Sequence, residues 1–217
     1  MKMILFLLSF TIIFISVSLS QTKSERTGTF KDSRDGAVYR WVRIGHQLWM
    51  AENLRFKTDS GSWCWKNVET NVRDRGRLYS WHAAMQAPPT GWHLPSDDEW
   101  KDLEMTLGLT KTQADQEGFR IDHDSLIAGK MKLKGKWPTE YKGKRIIVSN
   151  ESGFSAIETG HYANNRFDHE GYTGWWTSDG NEKYAWLRHV GFFDNTISRI
   201  QNRKEFAFPV RCIKDKE

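Results

Sequence analysis

The feature that most constrains this chain is a helix start written out over Gly91-Trp92-His93-Leu94-Pro95-Ser96-Asp97-Asp98-Glu99-Trp100. Pro95 ends the segment before it. Ser96 is placed as an N-cap, and the Glu99 carboxylate, three residues on, can accept from the Ser96 amide, which predicts a capping box. Asp97, Asp98 and Glu99 put negative charge at the positive end of the helix dipole. Trp100, Leu103 and Leu107 share one face at helical spacing, and Gly108 is placed to stop a helix over 97–107. The motif marks a fold landmark rather than a chemical site.

Behind Lys2, residues 4–17 form an almost unbroken apolar run. Ser18-Leu19-Ser20 then presents small residues two apart, and polar Gln21-Thr22-Lys23-Ser24-Glu25 follows. The pattern predicts a secretory signal peptide over 1–20, cleaved after Ser20, and hence a secreted, periplasmic or cell-surface protein. The rival reading, a membrane anchor, fits less well, because the run is shorter than the roughly 20 apolar residues a spanning helix needs. No cysteine follows the run to take a lipid, and no later stretch is apolar enough to span, so no membrane span is expected after cleavage. Removing 20 of 217 residues leaves 197, a usual size for one domain with a complete core. Lys2 leaves with the signal, so the net charge falls from +5 to +4. Residues 21–34 read as a polar lead-in.

The densest basic run is 130–136, with Lys142, Lys144 and Arg145 nearby. It reads as a solvated face or as a contact for an anionic surface polysaccharide or phosphate. No helix-turn-helix, zinc-finger or RNA-binding signature accompanies it, so no nucleic-acid partner is expected. Cys64 and Cys212 are the only two cysteines. In an exported chain such a pair usually forms a disulfide, here stabilising by about 4–5 kcal/mol for so long a loop. The alternative is two separate buried thiols. Eleven tryptophans are a heavy load, including Trp63 and Trp65 and the pair Trp175-Trp176. Most are expected in the core, with a minority free to form platforms for sugar rings.

The rest of the chain reads as short elements. Residues 38–44 and 47–50 predict a hairpin, with Val38, Val42 and Ile44 on one face. Residues 57–75 read as a loop pinned by Trp63-Cys64-Trp65. Residues 76–85 suggest a short helix with Leu78, Trp81, His82 and Met85 inward, broken by Pro88-Pro89. Short helices are expected over 110–117 and 125–133, a loop over 135–145, and strands over 175–178, 184–190, 196–200 and 206–213. With no repeat, heptad pattern or linker, one α+β domain is expected.

An ordered series of segments then resembles one family. It runs from Asp35-Gly36-x-Val38-Tyr39 through Ile44-Gly45-x-Gln47-x-Trp49-Met50-Ala51-Glu52-Asn53-Leu54 to Gly76-Arg77-Leu78-Tyr79-x-Trp81-x-Ala83-Ala84. The helix start follows, then Asn150-Glu151-Ser152-Gly153-Phe154-Ser155-Ala156, Trp175-Trp176-Thr177-Ser178 and Val210-Arg211-Cys212-Ile213-Lys214-Asp215. The series, spanning 35–215, resembles the Fibrobacter succinogenes major paralogous domain. That resemblance implies an exported bacterial protein without an established enzymatic activity. A more distant likeness to sulfatase-modifying and C-type lectin-like folds implies a compact domain with two main helices, small antiparallel sheets and long loops. It also implies that the first and last strands lie side by side. The chain departs from the family pattern at Ala87, where many relatives have a cysteine. A bridge from that position to Cys212 is therefore impossible, which bears against the Cys64–Cys212 pairing. A second departure is Ala156-Ile157-Glu158-Thr159-Gly160-His161-Tyr162, where relatives read Ala-Leu-Pro-Ala-Gly-Tyr-Arg.

No catalytic set emerges. Two cysteines do not supply the reactive pair a sulfatase-modifying centre needs. The seven histidines show no metalloenzyme spacing, although His161 and His169 flank one polar loop. Asp179, Asn181, Glu182, Asp194 and Asn195 are the nearest approach to a calcium site, and Asx-rich turns explain them more simply. No metal and no cofactor are expected. The leading expectation is an exported, non-catalytic binding domain for a glycan or a cell-envelope protein. Its ligand-binding residues are expected in loops over 137–182: Trp137, Tyr141, Tyr162, Tyr172, Trp175, Asp179 and Asn181. The rival for the two tryptophans is a place in the core. The rivals for the function are an enzyme on a lectin-like scaffold and a structural surface component.

Overall fold

The computed structural model describes residues 25–120, 126–168 and 171–216. The expected signal peptide over 1–20, the start of the lead-in and His169 lie outside the described residues. Within them the chain is mixed but β-rich, with short helices among several antiparallel sheets.

The capped helix forms over Asp97–Leu107. Ser96 Oγ accepts from the Glu99 amide at 3.1 Å, and Glu99 Oε2 accepts from the Ser96 amide at 2.9 Å. Gly108 ends the helix at φ 127°, where a side chain would be strained. The expected pair of main helices is not found. Asp97–Leu107 has 11 residues, and the other α-helices among the described residues have five or six.

The expected hairpin, Val38–Ile44 with Gln47–Met50, forms inside a five-stranded sheet. Its order is Thr27–Lys31, Val38–Ile44, Gln47–Met50, Ile213–Lys214, Trp92–His93. Thr27–Lys31 corrects the reading of 21–34 as lead-in alone. It is an edge strand of mostly polar residues, ordered by its ladder to Val38–Ile44 rather than by its own apolar content. The last strand joins this sheet against Trp49, so the two strands of the hairpin separate it from the first strand. The expected single inward face of 38–44 is also corrected. Val38 is 52 % exposed, and the strand is covered on both sides: Val42 and Ile44 enter one core, Tyr39 the other.

The second sheet runs Arg166–Asp168, His161–Ala163, Ala207–Pro209, Leu78–Ser80, Ser62–Trp63. It overrides the helix expected over 76–85. Leu78–Ser80 pairs with Ala207–Pro209, and the helix starts only at Trp81. Met85 is consequently exposed and Ala84 buried. The third sheet runs Tyr172–Gly180, Tyr184–Gly191, Ile197–Arg203, Gly118–Phe119. Trp175 and Trp176, consecutive in its first strand, point to opposite faces and anchor the two cores.

A buried charge network fastens the long helix to this third sheet. Glu104 Oε1 accepts from Arg188 Nε at 2.6 Å, and its two oxygens take Arg120. Asp97 takes Arg188 Nη1 at 2.7 Å and Arg199 Nη2 at 2.8 Å. These partners hold the Asp97 carboxyl far below the usual carboxylate range, although burial acts in the opposite direction.

The expected Cys64–Cys212 bridge is not formed; both thiols are free. Cys212 is wholly buried in the second core, and its carbonyl accepts from the Met50 amide. Cys64 lies between Trp63 and Trp65, which pack in a third, smaller cluster. Burial pushes both thiols up, which keeps them protonated.

Candidate functional site

The structure separates the seven residues expected to bind ligand. Trp137 and Trp175 are core residues, as the rival reading had it. Trp137 is buried and its Nε1 donates to the Ala156 carbonyl at 2.8 Å. Trp175 is wholly buried and its Nε1 donates to Asn53 Oδ1 at 3.0 Å. Tyr162 stacks on Trp63 at 4.9 Å, in the third cluster. Asp179 Oδ2 accepts from the Asp97 amide at 2.6 Å. Asn181 Oδ1 accepts from the amides of Lys183 and Tyr184, which is a turn role. Asp194 Oδ1 does the same for the Thr196 amide. Among the described residues no three His, Cys, Asp or Glu side chains are grouped to hold a metal ion.

Tyr141 and Tyr172 are brought together, with partners that the sequence reading missed. Tyr172 opens its strand opposite Gly191, and Phe192 and Phe193 follow directly. The Tyr172 ring lies 5.7 Å from Phe192, 5.5 Å from Phe193 and 5.0 Å from His189. Tyr141 packs its edge on Phe192 at 4.9 Å. All five rings are half-buried. A partly exposed aromatic cluster of this kind presents a flat apolar surface with polar tips.

Tyr141 is carried by a hairpin inside the segment expected to be loop, Glu140–Tyr141 against Lys144–Arg145. Lys142 at φ 47° and Gly143 at φ 75° make the two-residue turn, the left-handed geometry that matches strand twist. The Lys142-Gly143 dipeptide is the signal that could have revealed it. Lys142 Nζ lies 5.3 Å from the Tyr141 ring centroid. The exposed side chains of Lys144 and Arg145 make no hydrogen bond or ion pair among the described residues.

The hairpin, together with Phe193 of the cluster and the residues after it, walls a cavity of about 510 Å³. Tyr141 and Phe193 supply its apolar wall, Lys142, Lys144 and Arg145 its cationic rim, and Asp194, Asn195 and Thr196 its polar wall. The polar wall is fixed from behind. Asn195 Oδ1 accepts from the Ile147 amide at 2.7 Å, and the Asp194 carbonyl accepts from Lys132 Nζ. Lys132 therefore departs from the solvated face expected over 130–136. It is wholly buried against Trp137, and burial pushes its ammonium down to about 8.

His93 is a further organised polar group. Its Nδ1 lies 2.6 Å from Asp215 and its Nε2 3.0 Å from Glu99. The Glu99 hydrogen bond, then that of Asp215, raise its pKa against desolvation. With both ring nitrogens held by carboxylates, it works as a charged tie between the last strand and the helix cap.

The Fibrobacter succinogenes major domain family matches residues 42–214. The chain belongs to this family. No curated protein and no solved structure matches it. In this member of the Fibrobacter succinogenes major domain family, the segments that carried the resemblance build the frame. Asn53 Oδ1 accepts from Trp175 Nε1 and from Arg211 Nε and Nη2, tying three of those segments at one atom. Tyr141, Lys142, residues 144–146 and residues 193–196, which wall the cavity, lie between such segments. The frame and the cavity are thus separate parts of the chain.

Proposed function

We propose that this chain is an exported, non-catalytic binding domain on a lectin-like scaffold, and that it takes an anionic glycan of the cell envelope. The observation that carries the reading is the shared cavity: half-exposed Tyr141 and Phe193 rings beside Lys142, Lys144 and Arg145. Aromatic faces take the C–H side of a sugar ring, and cations take its carboxylate or sulfate. A cavity of about 510 Å³ falls within the range of small-ligand sites. His93, held by Glu99 and Asp215, and Glu104, held by Arg120 and Arg188, serve as structural ties, which supports binding without catalysis.

The test is a glycan array carrying neutral and acidic polysaccharides, followed by titration of any acidic hit at low and high salt. Tyr141→Ala and the paired change Lys144→Glu, Arg145→Glu should each weaken binding about tenfold or more without changing the circular dichroism. Salt should weaken wild-type binding, because the cationic rim is solvent-exposed. An array without acidic hits, or hits indifferent to both variants, would remove the proposal.

A further inference from the structure

A second cavity, of about 520 Å³, opens where Glu52 and Asn53, the Asn71–Arg75 helix, and residues 133–136 and 155–158 meet. Among its lining residues is Arg211, which is wholly buried. Every hydrogen-bond partner of that guanidinium is neutral. Nε and Nη2 donate to Asn53 Oδ1 at 3.1 and 2.8 Å, and Nη1 donates to the carbonyls of Met50 and Phe154. Phe154 and Trp175 cover its faces, with centroids at 4.4 and 5.8 Å. Burying a cation without a counter-charge is expensive. The Glu52 carboxylate does not answer it by contact, because Glu52 accepts from the Arg40 amide, Arg40 Nε and Arg55 Nη1.

The rim adds further positive charge. The side chains of Arg73 and Lys136 are exposed and make no hydrogen bond or ion pair among the described residues. Arg75 Nη1 donates to the Glu158 carbonyl at 3.2 Å, again a neutral partner. Two carboxylates also face the cavity, Asp74 and Glu158, and neither accepts a hydrogen bond among the described residues. Setting aside Glu52 with Arg40, the lining keeps four cations against two carboxylates.

This mixture discriminates between ligands. A bare inorganic anion meets the cations but is repelled by Asp74 and Glu158. A neutral sugar can donate hydroxyls to those carboxylates but leaves the buried charge unanswered. A sugar acid does both, with its carboxylate toward the cations and its hydroxyls donating to the acceptors. We propose that this cavity is a binding site for a uronate, taken either as the free sugar acid or as a residue of an acidic polysaccharide. The site is independent of the Tyr141 cavity and does not rest on it.

The experiment is calorimetric titration of the full chain with galacturonate, glucuronate, an oligogalacturonide, methyl galactoside and sulfate. At least one uronate, free or in the oligomer, should bind one to one, and methyl galactoside and sulfate should bind at least tenfold more weakly. Arg73→Glu combined with Lys136→Glu changes only exposed side chains and should weaken uronate binding at least tenfold, whereas Tyr141→Ala should leave it unchanged. Tighter binding of the oligomer assigns the site to a polysaccharide, and tighter binding of the monomer assigns it to the free acid. The inference is overturned if no uronate binds in either form, or if sulfate binds as tightly. It is also overturned if the rim variant binds as wild type does, or if Tyr141→Ala abolishes the binding.

Discussion

Replacing Glu104 with Gln takes away the charge that two interior arginines share. Glu104 is wholly buried. Its Oε2 accepts from Arg120 Nη1 at 2.7 Å, and its Oε1 from Arg120 Nη2 at 3.0 Å and Arg188 Nε at 2.6 Å. The amide keeps the shape, but turns one acceptor into a donor that faces a guanidinium. It also leaves Arg120, whose pKa burial already lowers, without its counter-charge. Removing one partner of a buried pair costs about 3–5 kcal/mol. Asp97 still holds Arg188, which places the expectation at the low end, about 3 kcal/mol. For a domain of this size about 1 kcal/mol moves Tm by about 2–4 °C, so Glu104→Gln should melt about 6–12 °C early. The assay is urea and thermal unfolding followed by tryptophan fluorescence, with Asp102→Asn as the comparison. The Asp102 side chain is 43 % exposed and lies 3.9 Å from His46, so its loss should cost under about 1 kcal/mol. The deficit of Glu104→Gln should persist in high salt, because buried charges are screened little. A deficit no larger than that of Asp102→Asn, or one abolished by salt, would refute the reasoning.

Three further outcomes follow from the same geometry. Ser96→Ala removes the oxygen that accepts from the Glu99 amide and should cost about 1 kcal/mol, read as an earlier urea midpoint at unchanged slope. The raised pKa of His93 gives a stabilisation that is full below its unfolded value of 6.5 and is lost as pH rises through the folded value. Wild type and His93→Gln should therefore differ most in Tm below pH 6.5 and converge in alkali; curves that stay parallel would contradict the tie to Glu99 and Asp215. Free thiols predict that reductant leaves Tm unchanged and that denatured, unreduced protein takes up two alkyl groups. In the native state, alkylation should reach half-buried Cys64 and spare buried Cys212.

Where the determinants were close in the chain, the fold could be read from residues alone. Ser96 and Glu99 are three apart, so their reciprocal bonds need nothing from elsewhere. The hairpin over 38–50 was legible for the same reason, since Gly45 sits at a left-handed φ of 61° between two β-rich runs. The reading failed where a distant strand decided. Leu78, Trp81 and His82 have helical spacing, but Leu78–Ser80 is claimed by Ala207–Pro209, more than 120 positions along. The aromatic cluster beside the cavity was half legible. Tyr141 and Tyr172 could be named by residue type, whereas Phe192 and Phe193 join them only because Tyr172 pairs with Gly191. For Trp137 and Trp175 the sequence leaves a loop place and a core place both open, because an indole in a loop and an indole in a core look alike until a partner for the N–H is known; the Ala156 carbonyl and Asn53 Oδ1 supply those partners in the core.

By itself the sequence determined the family, through its ordered series of matching segments, and also the helix start, the first hairpin and the mixed α and β character, which local hydrogen bonds and apolar periodicity carry. Only the tertiary structure decided which charges are buried together, which rings remain half-exposed beside unpaired lysines, and that the two thiols stay apart. Those outcomes depend on contacts between residues far apart in the chain, whose energies exist only once the sheets have been assembled.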